Sequence, residues 1–409
     1  MMALCLNKLD MLKNTASLLS GALLVTGTAV GAGMLALPVA TCLGGFVPAC
    51  LIYLVCWLFM AATGLLFLEI CLWMPEDANI VSMASHLLGP GGKLISWVLY
   101  LFLFYCLMIA YSAGGAGFIS GLMNFATNLE LPRLYGLVLF VVLFGLIVHF
   151  GTRAVDRINV LLMVGLIVTY VAFVVIGWDH VEETRLEPNN LWQGILAFPI
   201  VFTSFSYQGI IPSLTSYLHR NAKKVRFAIW VGTAIPFVIY IVWEFLILGI
   251  VPLNGAEGLL QAKKMGASAV EPLRYLIASP WVTNLGHAFA FFALTTSFLG
   301  VGLGLTDFLA DGLKIPKKGL SRWALTLSVF IPPAIIAQAN PTIFLTALTY
   351  AGGIGCALLL GLLPIVMVWV GRYRKGYKSH VQLFGGRIFL TILALFVLFE
   401  LFVEVSADF

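Results

Sequence analysis

Apolar runs close to or above 20 residues, separated by short polar breaks, fill almost the whole of this chain. A run of that length spans the ~30 Å hydrocarbon core of a bilayer as an α-helix. Eleven candidate segments follow, at roughly 16–40, 44–73, 93–123, 134–150, 157–178, 190–218, 226–250, 281–306, 321–338, 342–370 and 386–405. Several exceed the length a span needs, which predicts tilt or extension into the interface. The longest connections, near 179–189 and 251–280, are too short for a soluble domain, so residues 1–409 read as one all-α, polytopic membrane domain. Segment 1 runs past 20 residues, holds a glycine-rich break and lacks a convincing small-x-small cleavage site. It reads as a permanent span and not as a signal peptide.

Two segments interrupt the apolar pattern. Segment 1 reads Val25-Thr26-Gly27-Thr28-Ala29-Val30-Gly31-Ala32-Gly33-Met34-Leu35 and closes on Pro38. Segment 6 reads Phe202-Thr203-Ser204-Phe205-Ser206-Tyr207-Gln208-Gly209-Ile210-Ile211-Pro212-Ser213. Glycine is a poor helix former, and loose backbone at membrane depth survives only where protein covers it or where it lines a cavity. Interrupted segments at matching places in two halves point to the solute site of a transporter. Breaks in segments 1 and 6 imply a repeat of five helices. Because five is odd, the second repeat enters the membrane with opposite polarity. The expected architecture is a 5+5 inverted repeat, about 16–178 and 190–370, with an extra peripheral helix at about 386–405. Glycines elsewhere, such as Gly117, Gly121, Gly302 and Gly355, read as close helix packing.

Charge adds an orientation. Only 10% of the residues are charged, and the net charge of +5 is no nucleic-acid signature, because the basic residues gather in alternate loops. Of the 23 Lys and Arg, all but Arg133, Arg185, Lys263, Lys264 and Arg274 fall at the end that holds Lys8 and Lys13. The positive-inside rule makes that end cytoplasmic, with the N-terminus inside and the C-terminus outside. The opposite loop 179–187 is acidic. The seven cysteines lack C-x-x-C spacing and mostly sit inside apolar runs, where they read as small buried hydrophobes. No H-E-x-x-H, G-x-S-x-G or Walker motif is present, nor a metal-spaced Cys/His cluster. The chain is therefore not read as an enzyme, no cofactor or metal is expected, and an ion gradient has to supply the energy. One charge moved inward across 100 mV is worth ~2.3 kcal/mol, enough for roughly fiftyfold accumulation. A channel is disfavoured, since no charged ring or continuous polar pore is visible. The expected partners are a small polar solute and membrane lipid, with no nucleic acid and no obligate protein partner.

Candidate chemistry concentrates at the breaks. Unwinding around Gly27–Gly33 would leave the N–H groups of the outer half-helix aimed at the midplane, where a helix N-terminus suits a carboxylate. Gly31, Ala32 and Gly33 would let a ligand approach the backbone, with Thr28, Val30 and Met34 beside them. The alternative is a close helix crossing through Gly27 and Gly31. In segment 6, Gly209 and Pro212 supply the break. Phe205, Ser206, Tyr207 and Gln208 add aromatic surface and hydrogen bonding there, although Phe205 and Tyr207 also suit an ordinary core.

Ionisable groups inside hydrocarbon cost about 2.5–3.5 kcal/mol at a helix centre and are functional candidates by default. Glu69 in segment 2 reads as the deepest acid, either carrying a coupling proton or accepting hydrogen bonds from loose backbone of segments 1 and 6. Glu244 in segment 7 is the second coupling candidate and is expected nearer the rim. His149 and His287 read as satisfied polar residues. Glu400 and Glu404 are expected near the outer face, exposed to water. Thr296 and Ser297 either hold Na⁺ with loose segment-1 carbonyls or bond back onto their own helix. Asp307 and Asp311, among basic residues, are expected to form rim ion pairs.

These residues resemble a known family. Gly27-Thr28-Ala29-Val30-Gly31-Ala32-Gly33-Met34-Leu35-Ala36-Leu37-Pro38 is similar to the first-helix signature of the bacterial hydroxy/aromatic amino acid permeases. Phe198-Pro199 through Thr203-Ser204-Phe205, then Ile211-Pro212-Ser213-Leu214, resembles their sixth helix. The stretch from Thr296-Ser297-Phe298 to Leu305, followed by Asp307 and Leu309-Ala310-Asp311, resembles their eighth. The resemblance covers nearly the whole chain, with the tyrosine-specific transport proteins as the nearest subgroup. It implies the LeuT-like fold of the amino acid/polyamine/organocation superfamily and proton-coupled uptake of an aromatic amino acid across the bacterial inner membrane, with Na⁺ coupling as the alternative. By position, it implies that the Gly31–Gly33 amides take the substrate carboxylate. Phe205–Gly209 would contribute to the amine and side-chain pockets, and Glu69 would be the buried acid of helix 2. One departure stands out: the family commonly has Gly-Phe-His or Gly-Tyr-His where this chain has Ser206-Tyr207-Gln208. A titratable group is thereby lost, which leaves tryptophan and phenylalanine open beside tyrosine.

Overall fold

The computed structural model describes residues 18–76, 78–127, 132–187, 190–273, 280–378 and 382–407, and the regular structure among them is helical throughout. Cys5, Lys8, Lys13 and Arg274 lie outside the described residues. Segment 1 is split into α1a (Leu18–Ala29) and α1b (Ala32–Thr41), bent by 47°. It is followed by α2 (Phe46–Trp73), α3 (Ile80–Thr127), α4 (Arg133–His149) and α5 (Thr152–Gly177). Segment 6 is split into α6a (Phe198–Ser204) and α6b (Ile211–Tyr217). Then come α7 (Ala222–Ile250), α8 (Pro280–Leu313), α9 (Gly319–Ala339), α10 (Ile343–Tyr373) and α11 (Gly386–Ala407).

Eight of the described helices are long and apolar enough to cross a membrane, and the bent pair makes a ninth. The 17-residue α4 and the 7-residue pieces of α6 are shorter than that standard, so the expected eleven spans are not all matched by full-length helices. Two elements differ from the hydropathy reading for identifiable reasons. Helix α3 begins at Ile80 because residues 80–88 form an amphipathic turn carrying Ser82, Ser85 and His86. Gly89, at φ 77°, redirects the chain there, in a region that a side chain disfavours, and Pro90 opens the main helix. Within α10, residues Ala351–Leu362 are wound as a π-helix, a geometry that concentrates at functional sites.

The helices pack as two groups. Helix α2 lies along α7 and α6, and α1b touches α6a and α7. The second group is α8 along α5 and α3, with α4 and α9 against α3. Helix α10 contacts both groups, touching α6a and α3, and carries α11 on its π-helical stretch. The outward face of α11 is apolar and exposed through Ile388, Ile392, Leu395, Leu398 and Phe402, as a peripheral helix in lipid requires. Its inward face overturns one expectation: Glu400 and Glu404 are buried, at 0% and 3% exposure, and do not meet water. Their face of the helix turns to α10, a choice that hydropathy does not register.

The basic end is held by specific bonds. Arg220 donates to the carbonyls of Cys71, Leu72 and Met74, capping the C-terminus of α2 from the end of α6b. Lys317 pairs with Asp307 at 2.7 Å, and Asp311 is exposed. The six described cysteines are free, and five of them are buried.

Candidate functional site

The helix of α1a stops at Ala29, Gly31 is extended at φ −166° and ψ −156°, and Ala32–Leu35 continue as a tight 3-10 turn. A 3-10 turn followed by Pro38 in the first turn of the next helix satisfies few carbonyls locally, so outside groups have to serve them. The Ala32 N–H donates to the Ser297 hydroxyl at 3.0 Å. Gly33 lies where α1 meets the end of α6a. A Cβ there would stand 2.9 Å from Ser204 Oγ and 3.1 Å from its Cα, so any side chain would have to push Ser204 aside at this crossing. Segment 6 unwinds at the corresponding place, between Ser204 and a 3-10 turn at Gln208–Ile210.

Helix α7 serves the carbonyls that the breaks leave open. The Tyr240 hydroxyl lies 2.7 Å from both Ala29 O and Ser204 O, the last residues of α1a and α6a. One turn further along α7, Glu244 accepts a hydrogen bond from Tyr53 of α2 at 2.6 Å and another from Thr41 of α1b. Thr26 of α1a donates to Gly232 O at 2.9 Å. Both halves of the broken helix are thus fastened to one face of α7.

Between the two helix groups lies a cavity of about 420 Å³. Of the expected site residues, Thr28, Val30, Ser206, Tyr207, Gly209, Thr296 and Ser297 line it. Tyr111, Phe104 and Tyr100 of α3, Asn159 and Met163 of α5, and Gly300 and Gly304 of α8 complete much of its wall. From Tyr111 to Tyr100 the wall descends α3 by about 16 Å, toward the basic end, at the ordinary helical rise. At the opposite end the loop after α7 covers α1b: Ala269 N–H donates to Leu35 O at 2.9 Å and Lys263 to Ala40 O at 3.4 Å.

The remaining expected residues sit around the cavity and not on its surface. Gly31, Ala32, Gly33 and Met34 are buried in the crossing with α6 and α8. Phe205 meets Tyr240 and Tyr53 edge-on, at 4.9 Å and 6.4 Å between ring centres. Gln208 turns to α2, donating to Thr63 Oγ1 at 3.0 Å and to Met60 O at 3.3 Å. The Thr296 hydroxyl bonds back to Phe292 O and Ala293 O of its own helix. Glu69 lies one turn from the end of α2 and receives a two-pronged ion pair from Arg372, at 2.8 Å and 2.5 Å, so its partner is neither helix 1 nor helix 6 backbone. Glu244 is fully buried. His149 bonds Thr326 at 2.9 Å and stacks on Trp323.

Sequence reasoning missed Tyr240, Tyr111 and Asn159. Tyr240 had a signal, its four-residue spacing from Glu244, which puts both on one helix face. Asn159 had another, as the one amide within segment 5.

Residues 14–404 match the tryptophan/tyrosine permease family. A tyrosine-specific transport system 2 of Haemophilus influenzae is 32% identical over 391 residues, covering 95% of each chain. A tryptophan-specific transport protein of Pseudomonas aeruginosa is 31% identical over 386 residues, covering 93% of this chain and 92% of its own. Among solved structures, MhsT in complex with L-phenylalanine superposes with a TM-score of 0.65 at 13% identity, covering 96% of this chain and 98% of its own. That likeness carries the LeuT-like fold.

Proposed function

The chain belongs to the tryptophan/tyrosine permease family, amino acid carriers of the membrane, and from that premise we propose that it is a symporter importing an aromatic amino acid, tyrosine foremost, together with a proton. The observation that carries this reading is the cavity of about 420 Å³ at two broken helices, with main-chain groups and aromatic rings on its wall. Its size falls within the range of small-molecule sites. The substrate carboxylate accepts from the Ser297 hydroxyl, which lies on the cavity wall and itself accepts from the Ala32 N–H at the N-terminus of α1b. The ring lies among Tyr111, Tyr207 and Phe104. An aromatic substrate in this neighbourhood gains offset or edge-on contacts beyond simple burial.

The bacterial inner membrane, with the basic end in the cytoplasm, is the setting that the positive-inside pattern supports. In that orientation the cavity opens inward, and the loop after α7 closes the outer side. Two inverted five-helix repeats, about 16–178 and 190–370, place the substrate between them. We favour proton coupling over sodium because a fully buried carboxyl, Glu244, stands one turn along α7 from the tyrosine that serves both breaks. Glu244, joining α1b, α2 and α7 beside the break, is the coupling carboxyl we favour over Glu69, which Arg372 engages.

The test is uptake of labelled tyrosine into sodium-free proteoliposomes under an imposed inward proton gradient. Accumulation that collapses with a protonophore is expected. Uptake that requires sodium would overturn the coupling, and tryptophan out-competing tyrosine would reassign the substrate.

A further inference from the structure

The basic end of the molecule holds another cavity, of about 520 Å³, between the first turns of α3 and the last turn of α8. Residues 80–88 of α3 turn Met83, Ala84 and Leu87 into the protein, which leaves Ser85 and His86 on the cavity wall. That turn is pinned by the chain after α10: Lys375 donates to His86 O at 2.5 Å, and the Tyr377 hydroxyl lies 3.2 Å from His86 Nε2. Beyond Pro90, Lys93 and Trp97 stand four residues apart and share one helix face. From α8 come Phe308 and Asp311, with Lys314 just after its end. The Trp97 indole lies against Gly312, where a Cβ would meet Nε1 at 2.7 Å, and its ring centre is 5.3 Å from that of Phe308. Lys93, Asp311 and Lys314 are exposed, whereas Trp97 and Phe308 are half-buried, so a charged rim surrounds an aromatic floor.

Among the described residues no ion pair engages Lys93 or Lys314, in contrast to Lys317, which pairs with Asp307. Two ammonium groups and one carboxylate leave a single positive charge. That is the complement of one phosphodiester and not of a doubly charged phosphate. The neighbouring surface says where the phosphodiester comes from. Leu94, Ile95 and Val98, beside the two cavity residues of α3, are more than half exposed, and so is Leu313 of α8. An anion site that opens onto an apolar stripe accommodates a headgroup and its acyl chains together, whereas a soluble anion gains nothing from the stripe. Basic pockets between transmembrane helices hold anionic headgroups in this way, and tryptophan belongs at headgroup level.

We propose that this cavity binds the headgroup of an anionic phospholipid, a singly charged phosphodiester such as phosphatidylglycerol. Lys93, Lys314 and the Ser85 hydroxyl take the phosphate, and the acyl chains run along Leu94 and Val98. Ammonium donors give phosphate the stronger class of hydrogen bond. Two residues join this site to the substrate cavity. Tyr100, on that cavity's wall, stacks on Phe308 with ring centres 4.2 Å apart, and Ile80, also on that wall, opens the turn that carries Ser85 and His86. A bound lipid therefore steadies the turn beside the basic end of the substrate cavity. The inference goes beyond the transport reading, and its readout is lipid binding, so it stands or falls without substrate or coupling ion.

The experiment is native mass spectrometry of the full-length protein in detergent, titrated with phosphatidylglycerol or with phosphatidylcholine of the same acyl chains. Retention of phosphatidylglycerol over phosphatidylcholine is expected. Lys93→Gln with Lys314→Gln should weaken it by about 30-fold, the effect of two cations near a membrane surface. Arg153→Gln with Lys223→Gln removes the same charge from exposed positions at the same end, away from the cavity, and is expected to change little. Equal retention by the Lys93/Lys314 variant would overturn the proposal, as would an equal loss in the Arg153/Lys223 control. Asp311→Asn is expected to raise retention, a gain that misfolding cannot imitate; no gain would remove the anion from this cavity. Inorganic phosphate displacing the lipid where chloride of equal ionic strength does not would mark a soluble-anion site and overturn the lipid assignment.

Discussion

Replacing Tyr240 by Phe exchanges a hydroxyl for a ring hydrogen, a net loss of one oxygen, at a place where two half-helices end. The ring is retained, and with it the edge-on contact to Phe205 at 4.9 Å. The lost hydroxyl lies 2.7 Å from the carbonyls of Ala29 and Ser204, and Tyr240 is fully buried, so bulk water does not take its place. A phenol has a single hydrogen, so the two contacts amount to one hydrogen bond shared between two acceptors, not two full bonds. A buried acceptor left unserved costs about 1–3 kcal/mol. If that loss falls on the geometry of the breaks, substrate affinity weakens by about 5- to 150-fold. The assay is equilibrium binding of labelled tyrosine to the purified protein, run beside thermal unfolding in the same detergent. Reduced affinity at a near-unchanged melting temperature is the expected pair of results. Wild-type affinity and uptake in Tyr240→Phe would refute the claim that this hydroxyl organises the site.

Gly33→Val places a side chain against the Ser204 backbone at the α1–α6 crossing; tyrosine binding is expected to vanish while membrane insertion, read by fractionation, persists. Glu69→Gln leaves the buried Arg372 guanidinium unpaired, a loss of about 3–5 kcal/mol for a broken buried pair. Thermal unfolding should show it, and Glu69→Gln with Arg372→Met should recover much of it; a double variant no more stable than the single one counts against the pair. Glu244→Gln is expected to flatten the pH dependence of uptake while leaving tyrosine counterflow, which needs no net proton movement. A wild-type pH profile in that variant would remove Glu244 as the coupling group.

The breaks in segments 1 and 6 were legible because glycine inside a membrane helix is costly and needs a reason. The residues between the breaks were also legible, although only some of them face the cavity: Ser206 and Tyr207 do, while Gln208 turns to α2. What the sequence concealed is which neighbour each helix face meets. A span that is apolar on all sides gives no moment to orient it, so Glu400, behind α10, could not be distinguished from an acid that faces water, nor Thr41 foreseen as a partner of Glu244. Tyr240 was hidden for the same reason: its partners are main-chain carbonyls, which leave no imprint on composition. The early start of α3 was missed because its first turns alternate apolar residues with Ser82, Ser85 and His86 and so lower the hydropathy of the window.

Fastening both halves of α1 to a single helix decides where any large motion can slip. The halves cannot swing apart without tearing Thr26, Tyr240 and Glu244 from their partners, so they travel with α7 as one piece. Any sliding seam then falls on the adjoining flank of α7, where Trp243 rests on Phe173 and Phe289 at 5.3 Å and 5.0 Å and Tyr170 reaches the Ile239 carbonyl at 3.0 Å. Broad rings on that surface can exchange one set of neighbours for another with little loss of contact, and one hydroxyl there holds a main-chain carbonyl.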